Sequence, residues 1–281
     1  RMGVVNWTDV IATSATTQVL LDGLGYKTKQ TSASQQIIFA GIRDQRLDLF
    51  LGYWNPLMTQ TITPFVDANQ VKVLEEPSLK DARATLAVPT YLADKGLKTF
   101  ADIAKFEKEL GGKIYGIEPG SGANTQIKAM IAKNQFGLGK FQLVESSEAG
   151  MLAAVDRAVR RKEAVVFFGW APHPMNVNVQ MTYLTGSEDA LGPNEGMATV
   201  WTVTAPTYAQ QCPNIGRLLT NLTFTAEDES RMMQPLLDHK DALESARQWL
   251  KDHPQDKERW LEGVTTFDGK PAAENLQLTS K

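Results

Sequence analysis

The chain has 281 residues, of which 42% are hydrophobic and 22% charged, and its formal net charge is -3. This composition is typical of a globular protein, and the length predicts about two domains. The absence of a basic tract argues against nucleic-acid binding, and no apolar run approaches the roughly 20 residues of a membrane span.

The first part of the chain predicts alternating strands and helices. A short valine strand at 4–5 precedes a helix whose apolar residues recur at helical spacing as far as residue 24. Thr8 or Asp9 is expected to cap this helix and Gly25 to end it. A strand at 26–31, a helix at 34–46 and a strand at 48–51 are expected next. This order is typical of a parallel sheet covered by helices.

A second set of alternating elements follows and predicts a second lobe. Extended segments are expected at 71–76, 84–88 and 180–184, and strands at 113–117, 164–168 and 198–204. Helices are expected at 100–110, from 124 onward and at 145–161. Helices then fill the remainder, one of them capped by Thr225. We therefore predict an α/β fold with two lobes. Their expected bounds are 1–84 plus 183–281 for the first lobe and 85–182 for the second, with hinge strands near 80–88 and 176–184.

Three tryptophans follow predicted strands. Trp7 comes after the valine strand, Trp54 after a strand that reaches Gly52, and Trp170 after a strand that Gly169 ends. In open α/β sheets, ligands bind beyond the carboxyl ends of the strands. If these three ends converge, the indoles form an aromatic box, which suits a cation without hydrogen-bond donors. A single tryptophan in such a position is more often a packing residue, so that alternative remains open.

Three polar residues lie near the predicted box. Ser121 belongs to GIEPGSGAN, which lacks the P-loop and dinucleotide-binding patterns and is either a plain strand-to-helix turn or a contact for a polar ligand group. Asp9 is either a helix cap or a carboxylate at the edge of the box. His173 either fixes the loop after Trp170 or contacts the ligand.

Catalytic and metal-binding chemistry finds little support in the sequence. No spacing typical of a metal site occurs, and no clear nucleophile–base pair is present. We therefore predict a binding protein that is not an enzyme and needs no cofactor; the alternative is a small-molecule enzyme that uses the same cleft. Cys212 is the single cysteine and is a buried apolar residue, a free thiol or half of a disulfide.

Seven segments together resemble the substrate-binding proteins of ABC importers for quaternary amines, in particular the periplasmic choline-binding proteins. They are VNWTD (5–9), DLFLGYWNP (48–56), GKIYGIEPG (112–120), ESSEAGMLAAV (145–155), VFFGWAPHPMN (166–176), TYLTG (182–186) and CPN (212–214). The resemblance covers essentially the whole chain.

The resemblance implies a periplasmic, exported and monomeric binding protein of the Venus-flytrap type, with its ligand in the cleft between the lobes. Such a protein would deliver choline, glycine betaine or carnitine to an ABC permease in the inner membrane. Trp7, Trp54 and Trp170 match the box tryptophans, and Asp9 matches the carboxylate that meets the choline hydroxyl. The resemblance also implies a disulfide between Cys212 and a cysteine upstream of Arg1.

The chain departs from the choline-binder pattern at two positions. Ala84 stands where those proteins have a tyrosine, and Ser121 where they have an asparagine. An alanine at position 84 opens space beside the cation, which favours a larger ligand. We therefore expect a narrow preference for carnitine over choline and glycine betaine, with Arg83 or His173 adding positive charge for the carboxylate.

Overall fold

The computed structural model describes residues 1–278. The strands are β1 (Met2–Val4), β2 (Gln30–Ser32), β3 (Leu49–Asn55), β4 (Lys72–Val73), β5 (Leu79–Pro89), β6 (Lys113–Tyr115), β7 (Gln142–Val144), β8 (Phe167–Ala171), β9 (Met181–Tyr183) and β10 (Met197–Thr204). The helices are α1 (Thr8–Gly23), α2 (Gln35–Arg43), α3 (Thr59–Asp67), α4 (Thr90–Asp94), α5 (Phe100–Ile103), α6 (Glu107–Leu110), α7 (Gly122–Ala132), α8 (Glu148–Arg161), α9 (Met175–Asn178), α10 (Pro193–Gly196), α11 (Tyr208–Gln211), α12 (Pro213–Asn221), α13 (Ala226–Leu237), α14 (Ala242–Asp252), α15 (Pro254–Trp260) and α16 (Ala272–Asn275). Two short 3₁₀ helices cover Ala104–Phe106 and Gln135–Gly137.

The chain divides into two compact units, and each unit contains more than one stretch of the sequence. Unit 1 comprises Arg1–Trp54, Thr61–Lys80 and the chain from Thr199 onward. Unit 2 comprises Asn55–Gln60 and Asp81–Ala198.

The sheet of unit 1 begins with the predicted alternating elements. Strand β1 pairs in parallel with β2 and with β3, so helices α1 and α2 are the connections of a strand–helix–strand–helix–strand unit. Strand β10 lies next to β3, and β4 pairs with β10 in antiparallel fashion. The parallel arrangement expected for this part of the chain is confirmed.

Helix α1 lies in the core of unit 1 and packs against α13 and α14. Most of its residues are buried, including several with hydroxyl groups. The Thr16 hydroxyl donates a hydrogen bond to the carbonyl of Ala12, and the Thr17 hydroxyl donates to that of Thr13. These bonds within the helix allow the threonines to be buried without leaving their donors unsatisfied.

The sheet of unit 2 combines parallel and antiparallel strands. Strands β7, β6 and β8 are parallel neighbours, whereas β5 pairs in antiparallel fashion with both β8 and β9. Strands and helices both contribute fully buried residues, among them Leu86, Val88, Ile114, Ile127, Met151 and Phe167. Helix α8 is capped by Ser147, whose hydroxyl accepts a hydrogen bond from the N–H of Gly150.

Two predicted strand ends were wrong. Trp54 lies within β3 and Trp170 within β8, where both had been expected beyond the glycine that ends the strand. The ladder between β5 and β8 continues through Gly169, which lies opposite Thr85. A glycine weakens a strand but does not interrupt it when the neighbouring strand still pairs with it. Pro56 and Pro172 directly follow the two strands, as predicted.

The start of α1 and the bounds of the lobes also differ from the expectation. Helix α1 begins at Thr8, and Trp7 takes the capping position, so neither Thr8 nor Asp9 is the cap. Residues 183–198, expected in the first lobe, belong to unit 2. This segment is attached to β5, because β9 pairs with β5 and Arg83 of β5 donates through Nε to the carbonyl of Glu195 at 3.1 Å.

Candidate functional site

The candidate residues in unit 1 are Trp7, Asp9 and Trp54. Asp9 lies in the first turn of α1, where the N-terminal end of the helix dipole favours a carboxylate. The indole Nε1–H of Trp54 donates a hydrogen bond to Asp9 Oδ2 at 3.0 Å, and this pair is buried. The structure therefore brings together two predicted residues that are 45 positions apart.

A close approach of β3 to α1 makes this contact possible. A Cβ atom at Gly52 would meet Val10 Cγ2 at 2.5 Å and the Phe50 ring at 2.9 Å. Real Cβ atoms essentially never come so close to other atoms, so only glycine fits between strand and helix here. Gly52 thereby sets the distance from Trp54 to the first turn of α1.

The principal candidate in unit 2 is Trp170. Its backbone lies opposite Ala84 in the ladder between β8 and β5, so both residues share one face of the sheet. The indole contacts the Phe168 ring, with 5.7 Å between centroids, and meets the His173 ring edge to face at 4.9 Å. Ala84 is almost completely buried, with 1% of its surface exposed.

Both ring nitrogens of His173 are used within unit 2. The N–H of Met175 donates to His173 Nδ1 at 2.9 Å, and His173 Nε2 lies 2.8 Å from Glu148 Oε1. The side-chain amide of Asn176 donates to the carbonyls of Trp170 and His173 at 2.8 and 2.9 Å. The loop after β8 is therefore held by its own side chains.

Ser121 caps α7. Its hydroxyl accepts a hydrogen bond from the N–H of Asn124 at 3.2 Å. The Asn124 side chain in turn accepts from the N–H of Ile117 and donates to the carbonyls of Ile117 and Glu118 and to Glu145 Oε1. The glycine-rich turn is thus closed by Asn124, which the sequence analysis did not identify.

Arg83 lies on the opposite face of β5 from Ala84 and Trp170. It faces Ala171 in the ladder, and neighbouring residues of a strand alternate between faces. Its guanidinium carbon lies 4.6 Å from the centroid of the Tyr183 ring. Burial raises the pKa of the Tyr183 hydroxyl, which donates to Asn176 Oδ1 at 2.6 Å. Arg83 therefore does not share a face of the sheet with Trp170, and the charge that it was expected to supply to a ligand carboxylate remains a prediction.

The six predicted residues are all buried, with at most 7% of any of them exposed. Within unit 1 the structure joins Asp9 to Trp54, and within unit 2 it joins Trp170 to His173, whereas Ser121 contacts Asn124. Glu148 was also missed, because it precedes His173 by 25 positions and no local pattern connects the two.

Residues 1–278 contain no group of three or more histidines, cysteines and carboxylates placed to hold a metal ion. Over the same residues, no helix has the length and hydropathy that crossing a membrane requires.

Known proteins resemble this chain along most of its length. The family model OpuAC, the substrate-binding domain of ABC-type glycine betaine transport systems, matches residues 1–252. A solved ABC-transporter choline-binding protein in complex with choline is 43% identical, with 98% of this chain and 96% of that protein covered and a TM-score of 0.94.

Two more distant proteins are also similar. Lactococcal OpuAC, solved in a closed form with glycine betaine, is 22% identical over 92% of this chain and 97% of its own, with a TM-score of 0.84. The glycine betaine/carnitine transport binding protein GbuC of Listeria monocytogenes is 29% identical over 167 residues, which are 58% of this chain and 55% of GbuC. The likeness to these structures confirms the predicted α/β fold class.

Proposed function

This chain belongs to the family of substrate-binding domains of ABC-type glycine betaine transport systems, and from that premise we propose that it binds a quaternary ammonium compound outside the cytoplasm and delivers it to a membrane permease. The family works by binding and transport, so we propose no catalytic activity. Trp7, Trp54 and Trp170 contact the trimethylammonium group.

The observation that carries this proposal is the buried hydrogen bond from Trp54 Nε1 to Asp9 Oδ2 at 3.0 Å. The bond is made through Nε1 at the edge of the indole, whereas a cation–π contact is made at a ring face. A quaternary ammonium is weakly hydrated and has no N–H donors, so aromatic faces attract it, by about 2 kcal/mol per ring when the pair is desolvated. Asp9 adds a negative charge beside the same ring.

Among the three compounds we place choline first. A ligand carboxylate would need a cationic partner or a free donor near Trp170. Both nitrogens of His173 already have partners in unit 2, and Arg83 lies on the other face of β5. Asp9 would repel a carboxylate but would accept the hydrogen bond of a choline hydroxyl, with Ser121 as a further polar contact. These contacts revise the preference for carnitine that Ala84 suggested.

Calorimetric titration of the full chain with choline, glycine betaine, carnitine and ethanolamine tests this proposal. We expect choline to bind at least about tenfold more tightly than the other three, a difference of 1.4 kcal/mol. Ethanolamine is the control because it has the hydroxyl of choline but a primary ammonium with N–H donors. Equal binding of choline and ethanolamine would contradict the role of the indoles. Tighter binding of carnitine would restore the ranking based on Ala84.

The three indoles are tested by replacing Trp7, Trp54 or Trp170 singly with alanine. Each replacement should weaken choline binding by about tenfold or more, since one desolvated aromatic face is lost. Trp249→Phe is the control because Trp249 lies in the helical core of unit 1. Unchanged affinity in any of the three alanine variants would remove that tryptophan from the site.

A further inference from the structure

Trp170 is held by backbone and ring contacts within unit 2. Its backbone pairs with β5, its carbonyl accepts from Asn176, and its indole contacts the rings of Phe168 and His173. The edge-to-face contact with His173 determines the tilt of the indole on one side. Anything that holds His173 in place therefore also holds Trp170.

The hydrogen bonds of His173 define its tautomer. A backbone N–H can only donate, so Nδ1, which receives the N–H of Met175, carries no proton. The ring proton is on Nε2, and this N–H donates to Glu148 Oε1. With both nitrogens engaged and its side chain fully buried, His173 has no donor to offer a ligand.

Glu148 is the first residue of α8, directly after the cap Ser147. The N-terminal end of a helix stabilises a carboxylate, and the side chain of Glu148 is only 8% exposed. A buried charge in this position needs a donor, and His173 Nε2 supplies one. The start of α8 is thus joined through Glu148 and His173 to the ring of Trp170.

We infer that Glu148 and His173 are a positioning pair, which fixes the indole of Trp170 in the orientation that binds the ligand. His173 was predicted as a ligand-binding residue; its contacts give it this indirect role. The inference rests on the proposed function, because it assumes that Trp170 contacts the ligand.

The test compares two variants of Glu148 in the full chain, with choline as the probe. Glu148→Gln keeps an oxygen that accepts a hydrogen bond from His173 Nε2. The choline affinity of this variant should therefore stay within about twofold of the wild type. Glu148→Ala removes the acceptor and leaves a buried donor unsatisfied, so choline binding should weaken by about tenfold, or 1.4 kcal/mol.

His173→Phe shows whether Glu148 acts through the histidine. Phenylalanine keeps a ring beside Trp170 and loses both hydrogen bonds. If Glu148 acts only through His173, Glu148→Ala should have no further effect on choline affinity in the His173→Phe background, because the two changes break the same chain of contacts. Additive losses would show independent roles and overturn the inference.

Tyr91→Phe is the matched control. The Tyr91 hydroxyl donates to the carbonyls of Ala158 and Glu163 near the other end of α8. This variant loses hydrogen bonds near the end of α8 and should lower thermal stability without changing choline affinity. A loss of affinity equal to that of Glu148→Ala would show that general loosening of α8 is sufficient, and would overturn the positioning role.

Fluorine NMR of the ligand-free protein tests the positioning pair independently of choline binding. The chain contains six tryptophans, so 5-fluorotryptophan labelling gives six fluorine resonances, and Trp170→Phe identifies the one from Trp170. That resonance should shift or broaden in Glu148→Ala and in His173→Phe but not in Glu148→Gln. If Glu148→Ala does not fold, the His173→Phe spectrum decides. An unshifted Trp170 signal would overturn the pair, whereas absence of choline binding by the wild type would overturn only the proposed function.

Discussion

Asp9 has two separable effects at the scale of single residues. Its carboxylate orients the Trp54 indole through one hydrogen bond, and it places a negative charge at the start of α1. A quaternary ammonium benefits from both, because the oriented ring attracts the cation and the charge adds to that attraction. The two effects respond differently to substitution.

Asp9→Asn should separate them. The asparagine oxygen still accepts the Trp54 Nε1–H, so we expect the melting temperature to remain close to that of the wild type. The negative charge is lost, so choline binding should weaken by about tenfold, or 1.4 kcal/mol, as measured by calorimetry. Unchanged affinity would mean that Asp9 acts on the ligand only through the orientation of Trp54.

Gly52→Ala should disturb the hydrogen bond between Trp54 and Asp9 by changing β3 instead of α1. The added Cβ would meet Val10 and Phe50 in the core at distances too short to keep, and overpacking of this kind costs about 1–3 kcal/mol. We expect a lower free energy of unfolding in urea denaturation and weaker choline binding, since β3 must move away from α1. Wild-type stability would show that the strand shifts without strain.

At the scale of elements, three helices of unit 2 begin at side chains that satisfy their free N–H groups. Ser121 caps α7, Ser147 caps α8, and Thr99 with Asp102 forms a capping box at α5. Ser121 is itself the cap of α7, and Glu148 directly follows the cap of α8. Helix capping therefore positions both of these residues.

The capping box at α5 predicts a pH dependence of stability. Hydrogen bonds from Lys105 and Thr99 hold the pKa of the Asp102 carboxyl well below its usual range, despite partial burial. A depressed pKa in the folded state contributes stability above the unfolded pKa of about 3.9, and this contribution is lost as the pH falls through the folded value.

Asp102→Ala should therefore cost about 0.5–2 kcal/mol at pH 7, the usual cost of losing a cap. The difference from the wild type should begin to shrink below about pH 4, where the Asp102 carboxyl of the unfolded chain takes up its proton, and should disappear only as the pH falls through the lower pKa of the folded state. Urea denaturation of both proteins between pH 2.5 and 7 measures this. A difference that does not change with pH would show that charge has no part in the cap.

At the scale of the whole molecule, ligand binding should stabilise the folded chain. A ligand that binds only the folded state at 100 times its Kd adds about 2.7 kcal/mol to the free energy of unfolding. Choline should therefore raise the melting temperature of the wild type in differential scanning fluorimetry. Trp7→Ala in unit 1 and Trp170→Ala in unit 2 should each abolish most of that rise. A full rise in either variant would show that the replaced tryptophan does not contact choline.

The sequence alone determined the fold class and the class of ligand to test. Alternating apolar strands and helices predicted the α/β fold, and Thr225 predicted a helix start, which its bond from the N–H of Asp228 confirms. These signals are readable because they depend on hydrogen bonding and steric preferences within a few residues. The clustering of Trp7, Trp54 and Trp170 around one ligand and the disulfide of Cys212 remain predictions.

Only the tertiary structure decided the contacts that give the candidate residues their roles. The bond from Trp54 to Asp9, the register of Ala84 with Trp170 and the pairing of Glu148 with His173 join positions between 25 and 86 residues apart. No local preference encodes such contacts, because each depends on how strands and helices pack together and on which buried polar groups then need partners. For that reason the sequence identified Trp170 and His173 as candidates, but only the packing around them placed the His173 ring against the Trp170 indole and Glu148 against His173.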